Sequence, residues 1–314
     1  MLSDWAFSAR GQRKGKWMRT RLRGLEIAGI QMGIEVPENF DWDWPESSVA
    51  EFVCLPREPE VHIGLRIAEF SSRDLGGERY SLGPWVFEVA SYGDDWLLGL
   101  SRRGVREQLA RFDREFRNGE VLISKEAAME RRFPLRTPLD EWIVLHRTVA
   151  RGGLVLNGSA SFSEGGASIC LGSDDSQTRL QNGWATRRMA LLGRNTVLLR
   201  EEGGLLRSFN TPWSEVSDSR LGDAASVSEL IVREESDRPF RECIDPDEAA
   251  ELLVAHAVVP LCDEVLFDRV LRNARRLSEQ TKVFRIGEIP ETPAPIAWRS
   301  AQLQNAFAPP SAGF

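Results

Sequence analysis

The chain has 314 residues, of which 42% are hydrophobic and 28% are charged, so it is long enough for two globular domains of ordinary size. The net charge of -7 at pH 7 argues against general affinity for nucleic acid. No segment approaches the roughly eighteen consecutive apolar residues of a membrane span, and the N-terminus lacks the apolar core of a secretory signal. We therefore expect a cytoplasmic protein without membrane insertion.

The N-terminal arm, residues 1–24, is strongly basic between Arg10 and Gly24. Two interpretations stay open, a solvated disordered extension or a segment that docks on an acidic partner surface. Strand-like spacing of apolar residues begins at Leu25, where we expect the fold to start.

Residues 25–135 predict a mostly antiparallel β domain, because short apolar runs alternate with turns. Clear examples are VHIGLRIAEF, PWVFEVASYGDDWLLGLSRRG and EVLIS. The segment VREQLARFDREF also fits a helical stripe, and we interpret it as one arm of a hairpin.

A helix is predicted in RTPLDEWIVLHRTVARGG, where it joins the two domains. Thr137 is expected as its N-cap, Pro138 as its first residue and Asp140 in its first turn, with Gly152 and Gly153 at its end.

Residues 136–290 then predict an α/β domain within an overall α+β protein. Glycine-separated strands are followed by two helices, in DPDEAAELLVAHAVVP and CDEVLFDRVLRNARRLSEQTK, and by a strand in KVFRIGEIP. The tail, residues 291–314, is rich in Pro and Ala and is expected to be disordered.

The four cysteines are far apart and include no CxxC pair, which predicts neither a zinc ribbon nor a redox motif. We expect no metal site and interpret the cysteines as reduced core thiols: Cys54, Cys170, Cys243 and Cys262. The histidines have no companion at metal-ligand or triad spacing and are interpreted as locally hydrogen-bonded residues: His62, His146 and His256.

One segment, GASICLGSDDSQTRL from Gly166 to Leu180, has the form of a strand running into a phosphate-binding loop. Such a loop requires GxxxxGK followed by Ser or Thr, so that backbone amides surround the phosphates, a lysine neutralises charge and a hydroxyl holds magnesium. When the motif is aligned from Gly172, only the first glycine matches.

The chain nevertheless resembles the HPr kinase/phosphorylase-like serine kinases, which share the phosphoenolpyruvate-carboxykinase type of P-loop fold. The similar segments occur in the family's order and spacing and cover roughly Leu25 to Pro290. They are FEVASYGDDWLLGL, FDREFRNGEVLIS, FPLRTPLDEWIVLH, LVLNGSAS, GASICLGSDDSQTRL, LLGRNTVLLREEGG and FNTPW. The resemblance implies an HPr-kinase-like P-loop domain with a mixed sheet and flanking helices.

The same resemblance implies that the family's chemical groups are replaced. Its histidine corresponds to Asn157, its loop lysine to Thr178 and its magnesium-binding serine to Arg179, while its paired aspartates correspond to Arg194 and Asn195. The degenerate nucleotide site as a whole comprises Asn157, Gly172, Ser173, Asp174, Asp175, Ser176, Gln177, Thr178, Arg179, Arg194 and Asn195. Framework residues are retained at Leu191, Leu192, Arg200, Thr211, Pro212 and Trp213.

These replacements predict an inactive member of the group that binds no nucleotide and no cofactor and acts as a binding or scaffold subunit, with protein partners or copies of itself. The alternatives are a nucleotide-binding protein or kinase that uses Arg179, Arg194 or Arg200, and a binder of small molecules or peptides in a cleft between the domains. Aromatic residues are favoured at interfaces, and the candidates here are Trp42, Trp44, Trp85, Trp298, Phe307 and Phe314.

Overall fold

A computed structural model of the chain describes residues 20–43, 47–69, 74–163, 166–172, 190–193, 196–213, 224–259 and 262–288. Two mixed sheets and their flanking helices form an α+β protein, as the sequence predicts. No helix among these residues is long and apolar enough to cross a membrane.

The N-terminal sheet has nine strands in the order β3-β1-β2-β4-β9-β8-β7-β6-β5. Neighbouring strands are antiparallel except that β4 runs parallel to both β2 and β9. Their bounds are β1 Thr20–Ile27, β2 Ile30–Pro37, β3 Val53–Cys54, β4 Val61–Ile67, β5 Glu78–Leu82, β6 Trp85–Tyr92, β7 Asp95–Arg102, β8 Val105–Asp113 and β9 Asn118–Ile123.

The fold begins earlier than the expected Leu25. Strand β1 starts at Thr20, which pairs with Pro37 of β2, so the last residues of the predicted basic arm belong to the sheet. The ambiguous segment VREQLARFDREF contains β8, which confirms the hairpin interpretation, because its antiparallel pairing with β7 buries Phe112 completely.

The helices described before the second sheet are α1 Ser47–Ala50, α2 Lys125–Met129 and α3 Leu139–Ala150. The predicted connecting helix is confirmed as α3, but its N-cap is Pro138 and not Thr137. The Thr137 hydroxyl instead hydrogen-bonds to the carboxyl groups of Asp140 and Glu141, which are otherwise desolvated.

The second sheet follows the order β11-β10-β13-β14-β15-β17-β16, and β12 also pairs with β10. Strand β11 pairs with β15 as well, and β15 runs parallel to both β11 and β17. The bounds are β10 Leu154–Ser163, β11 Gly166–Leu171, β12 Ala190–Gly193, β13 Thr196–Glu202, β14 Leu205–Phe209, β15 Ala224–Glu235, β16 Phe240–Cys243, α4 Pro246–Ala255, α5 Glu264–Ser278 and β17 Lys282–Glu288.

One continuous hydrophobic core extends from the N-terminal sheet through α3 into the second sheet. All four cysteines are free, but only Cys170 is buried, while Cys243 is exposed and Cys54 and Cys262 are partly buried. The interpretation as core thiols is therefore wrong for Cys243, which lies on the short strand β16 whose other residues are also largely accessible to solvent.

Candidate functional site

The candidate site lies where the parallel strands β11 and β15 approach their carboxyl ends. Leu171, the last residue of β11, pairs with Gly158 of β10 on one side and with Val232 of β15 on the other. Gly172 follows with a φ of 127°, a backbone conformation that residues other than glycine rarely adopt. Ligands of open α/β sheets commonly bind at such carboxyl ends. We call this region, at the carboxyl end of β11, the β11 edge. It consists of Asn157, Gly172, Arg233 and His256.

Two predicted site residues meet at the β11 edge. The Gly172 amide donates to the Asn157 carbonyl oxygen at 3.2 Å, and the Asn157 amide donates to the His256 carbonyl oxygen at 2.8 Å. The backbone of Asn157 is thus held on both sides while its side chain is exposed. Gly158 beside it has no room for a side chain, since an added Cβ would lie 2.6 Å from the Cys170 carbonyl oxygen.

Most of the other predicted positions lie outside the residues that the structure describes. They are Trp44, Ser173, Asp174, Asp175, Ser176, Gln177, Thr178, Arg179, Arg194, Asn195, Trp298, Phe307 and Phe314. The loop part of GASICLGSDDSQTRL after Gly172, most of the basic arm and the tail lie there too.

Arg233 is a member of the β11 edge that sequence reasoning missed. Cys170 pairs in register with Ile231, and Arg233 follows on the same face of β15. Burial raises the pKa of the Cys170 thiol to about 12, and the charge of Arg233 acts in the opposite direction. In the sequence, Arg233 is recognisable as a charged residue directly after the apolar run LIV. Polar groups commonly lie at this end of a parallel strand.

Trp42 is not an interface residue, contrary to expectation. Its side chain is 2% exposed, its ring centroid lies 6.1 Å from those of Phe40 and Phe133, and the Arg23 guanidinium lies over it at 4.9 Å. The segment after β2 is part of the core, where burial of the large indole is favourable. Trp85 is half-buried and stays accessible.

Two segments of the family resemblance meet at the start of α3. The Trp213 indole nitrogen donates to the Asp140 carboxylate at 2.8 Å. Burial raises the pKa of Asp140 to about 6, and hydrogen bonds from Trp213, the Glu141 amide and Thr137 partly offset that effect. Burial and the neighbouring charge of Asp140 raise the pKa of Glu141 to about 7.

An ionic network lies at the C-terminal half of α3, where the two sheets meet. The Arg147 guanidinium donates to the Glu60 carboxylate at 2.6 Å and to the Glu115 carbonyl oxygen at 2.8 Å. Arg269 of α5 binds the Glu115 carboxylate with two hydrogen bonds of 2.7 and 3.0 Å. Arg151 pairs with Glu60 and donates to the Gly29 carbonyl oxygen at 2.9 Å. We call this network, together with Asp140, Glu141 and His146, the junction.

His146 completes the junction as a buried core residue. Its ring lies 4.2 Å from the Phe116 ring and 5.7 Å from the Trp142 ring, measured between centroids. Burial lowers the pKa of His146 to about 3. Because its Nδ1 lies 3.7 Å from the Asp263 carboxylate, the expected local hydrogen bond is not formed at ordinary length.

Arg200, a candidate phosphate ligand in the sequence, lies at the junction rather than at the β11 edge. It is 4% exposed, pairs with Glu202 at 3.6 Å and lies over the Phe209 ring at 4.6 Å. Asn157 pairs with Thr196, so Arg200 lies about 13 Å further along β13. Among the described residues, no group of three or more His, Cys, Asp and Glu side chains is arranged to hold a metal ion.

No protein-family model matches this sequence, and no curated protein is similar to it. Among the solved structures similar to this chain is the Hpr(Ser) kinase/phosphatase from Coxiella burnetii, with 9% sequence identity and a TM-score of 0.26. The match covers 48% of this chain and 92% of that chain. A TM-score this low identifies a weak structural neighbour and nothing more.

Proposed function

We propose that this chain is a catalytically inactive protein of the HPr-kinase-like type that acts as a cytoplasmic binding or scaffold subunit of a larger protein assembly. The observation that carries the proposal is the exposed Asn157 side chain beside Gly172 at the β11 edge. In the family that the sequence resembles, this position holds a histidine. An amide side chain does not ionise near neutral pH and does not serve as a general base.

The sequence supports the same proposal at the neighbouring positions. Phosphoryl transfer depends on positioning and charge neutralisation, yet Thr178 replaces the lysine, and Asp174 and Asp175 add negative charge. A charge pair at about 4 Å contributes about 4 kcal/mol at an effective dielectric near 20. Repulsion of that size works against phosphate binding.

A second candidate function is an atypical nucleotide-binding protein. Arg233 favours it, because this residue follows the β15 partner of Leu171 and its positive charge is of the type that binds phosphate. Arg200 supports it less than the sequence indicated, since it pairs with Glu202 and lies over the Phe209 ring, away from the β11 edge.

Thermal unfolding with ATP and magnesium separates the two candidates. An inactive scaffold keeps its melting temperature and transfers no phosphate to a serine substrate. A bound nucleotide at a hundred times its dissociation constant stabilises the fold by about 2.7 kcal/mol. If the wild type gains this stabilisation and Arg233→Ala does not, the second candidate is correct. Phosphate transfer to a serine substrate contradicts the scaffold proposal.

Affinity purification from the native host tests the scaffold role directly. We expect stoichiometric protein partners to co-purify with the full-length chain. Two deletions locate the contact, and the first ends at residue 19 because β1 begins at Thr20. The second removes residues 291–314. Unchanged association of both deletions assigns the interface to the folded body, and recovery of the chain alone contradicts the proposal.

A further inference from the structure

Four side chains form a cross-strand row at one end of the N-terminal sheet. Leu82 of β5 pairs with Trp85 of β6, Trp85 pairs with Arg102 of β7, and Arg102 pairs with Val105 of β8. Directly opposed residues of antiparallel strands project to the same face. Leu82 is 42% and Val105 59% exposed, so the row is accessible to a partner.

The Trp85 ring organises several guanidinium groups around it. The Arg136 guanidinium lies 4.3 Å from the ring centroid, that of Arg102 lies 5.2 Å away and that of Arg132 lies 6.0 Å away. Cation–π attraction holds such planar groups against an indole. We call the six residues Leu82, Trp85, Arg102, Val105, Arg132 and Arg136 the Trp85 surface.

The positive charge of the Trp85 surface is only partly neutralised. Arg132 pairs with Glu107 and Glu130, whereas the nearest carboxylate oxygen to Arg136 among the described residues is that of Glu107, at 4.0 Å. Arg102 forms no ion pair in the described part of the chain, and its Nε is buried without a hydrogen-bond partner there. The surface therefore carries excess positive charge although the protein as a whole carries -7.

Crowding of like charges is evident at Arg136 itself. Burial lowers the pKa of this side chain, the positive charges of Arg132 and Arg102 lower it further, and the charges of Glu107 and Glu130 act in the opposite direction. An anion bound between these guanidinium groups relieves that repulsion, and a carboxylate matches the fork of an arginine with two parallel hydrogen bonds.

We propose that the Trp85 surface docks an acidic peptide segment of a partner protein. Carboxylates of the segment bind Arg102 and Arg136, and its apolar side chains contact Leu82 and Val105. Trp and Arg are the residue types that most often carry binding energy at protein interfaces. A peptide fits better than a nucleic acid, because nucleic-acid binding requires several neutralised phosphates and the surface offers few unpaired arginines between apolar residues.

Fluorescence anisotropy with a labelled synthetic peptide of alternating Glu and Leu tests the proposal on the full-length chain. A peptide of alternating Lys and Leu is the charge control. We expect the wild type to bind the acidic peptide in preference, and binding to weaken with salt. The double variant Arg102→Glu/Arg136→Glu is expected to bind about tenfold more weakly, which corresponds to about 1.4 kcal/mol.

Two further variants keep the test decisive. Val105→Glu places a negative charge at an exposed position of the row, so it folds even if the double variant does not, and it is also expected to weaken binding. Arg272→Glu on the exposed face of α5 is the matched control and is expected to bind as the wild type does. The proposal is overturned if the wild type does not prefer the acidic peptide, or if Val105→Glu binds it with unchanged affinity. It is also overturned if a single-stranded oligonucleotide binds more tightly than the peptide.

This inference rests on the proposed scaffold function, and the two fail in different ways. If the wild type and Val105→Glu co-purify with the same partners in equal amounts, the scaffold function stands and the Trp85 surface is not the docking site. If neither chain retains a partner, both proposals fail.

Discussion

The junction and the β11 edge differ in where they place ionisable groups. At the junction, Arg147 is buried against Glu60, and the pKa values of Asp140, Glu141 and His146 are shifted to about 6, 7 and 3. At the β11 edge, the Asn157 side chain is exposed, and the observed hydrogen bonds are those of its backbone with Gly172 and His256.

Strongly shifted pKa values often mark active sites, but structural ion-pair networks shift them too. Here the groups with shifted pKa values lie on α3, where Asp140 accepts from Trp213 and His146 packs against Phe116 and Trp142. The ion pairs of Arg147 and Arg269 connect α3 and α5 to loops of the N-terminal sheet, which indicates a structural role for the junction.

Arg147→Ala is expected to cause the largest loss of stability. The substitution leaves the Glu60 carboxylate with Arg151 alone and removes the hydrogen bond to the Glu115 carbonyl oxygen. Breaking a buried ion pair costs about 3 kcal/mol or more, measured as the free energy of unfolding in urea. Arg272→Ala, an exposed arginine of α5, is the control and is expected to change stability by less than about 0.5 kcal/mol. Equal effects of the two substitutions would contradict a structural role for the junction.

The pH dependence of stability tests the buried carboxyl group of Asp140. Burial raises its pKa from 3.8 to about 6, so the folded state binds this proton more tightly than the unfolded chain does. The protonated Asp140 therefore contributes to the free energy of unfolding below about pH 4, and this contribution is lost as the pH rises to about 6. Its size is on the order of 3 kcal/mol. Asp140→Asn stays neutral and still accepts from Trp213, so its stability relative to the wild type is expected to increase with pH.

Melting temperatures of both chains across this pH range provide the measurement. The comparison with the variant is necessary because His146 acts in the opposite direction. Burial lowers its pKa from 6.5 to about 3, so its contribution is lost as the pH falls below 6.5. Parallel pH profiles of the wild type and Asp140→Asn would show that Asp140 is not desolvated.

The smallest effect is expected at the β11 edge itself. Asn157→Ala removes an exposed side chain but keeps both backbone hydrogen bonds, so we expect the free energy of unfolding to change by less than about 0.5 kcal/mol. The neighbouring Gly158→Ala is the contrast, because its Cβ meets the Cys170 carbonyl oxygen and overpacking costs about 1–3 kcal/mol. A large loss in Asn157→Ala would indicate a structural role for this amide.

Much of the fold was predictable from local patterns. The alternation in PWVFEVASYGDDWLLGL predicts the hairpin β6–β7, and RTPLDEWIVLH predicts α3, because both patterns reflect interactions between residues close in the chain. The predicted N-cap of α3 was wrong by one residue. The Thr137 hydroxyl hydrogen-bonds to carboxyl groups and does not cap the backbone amides of the helix. At the candidate site, the family resemblance named Asn157 and Gly172 but not Arg233.

The sequence by itself determined the succession of strands and helices, because periodicity, capping and turn formation depend on neighbouring residues. Asp263, for example, caps α5 by accepting from the Leu266 amide. Only the tertiary structure decided which polar and aromatic groups are buried. Trp42 lies in the core while Trp85 lies at the surface, and Arg147 meets Glu60 across 87 residues of sequence. Burial depends on surfaces contributed by distant segments, and a local pattern carries no information about those segments.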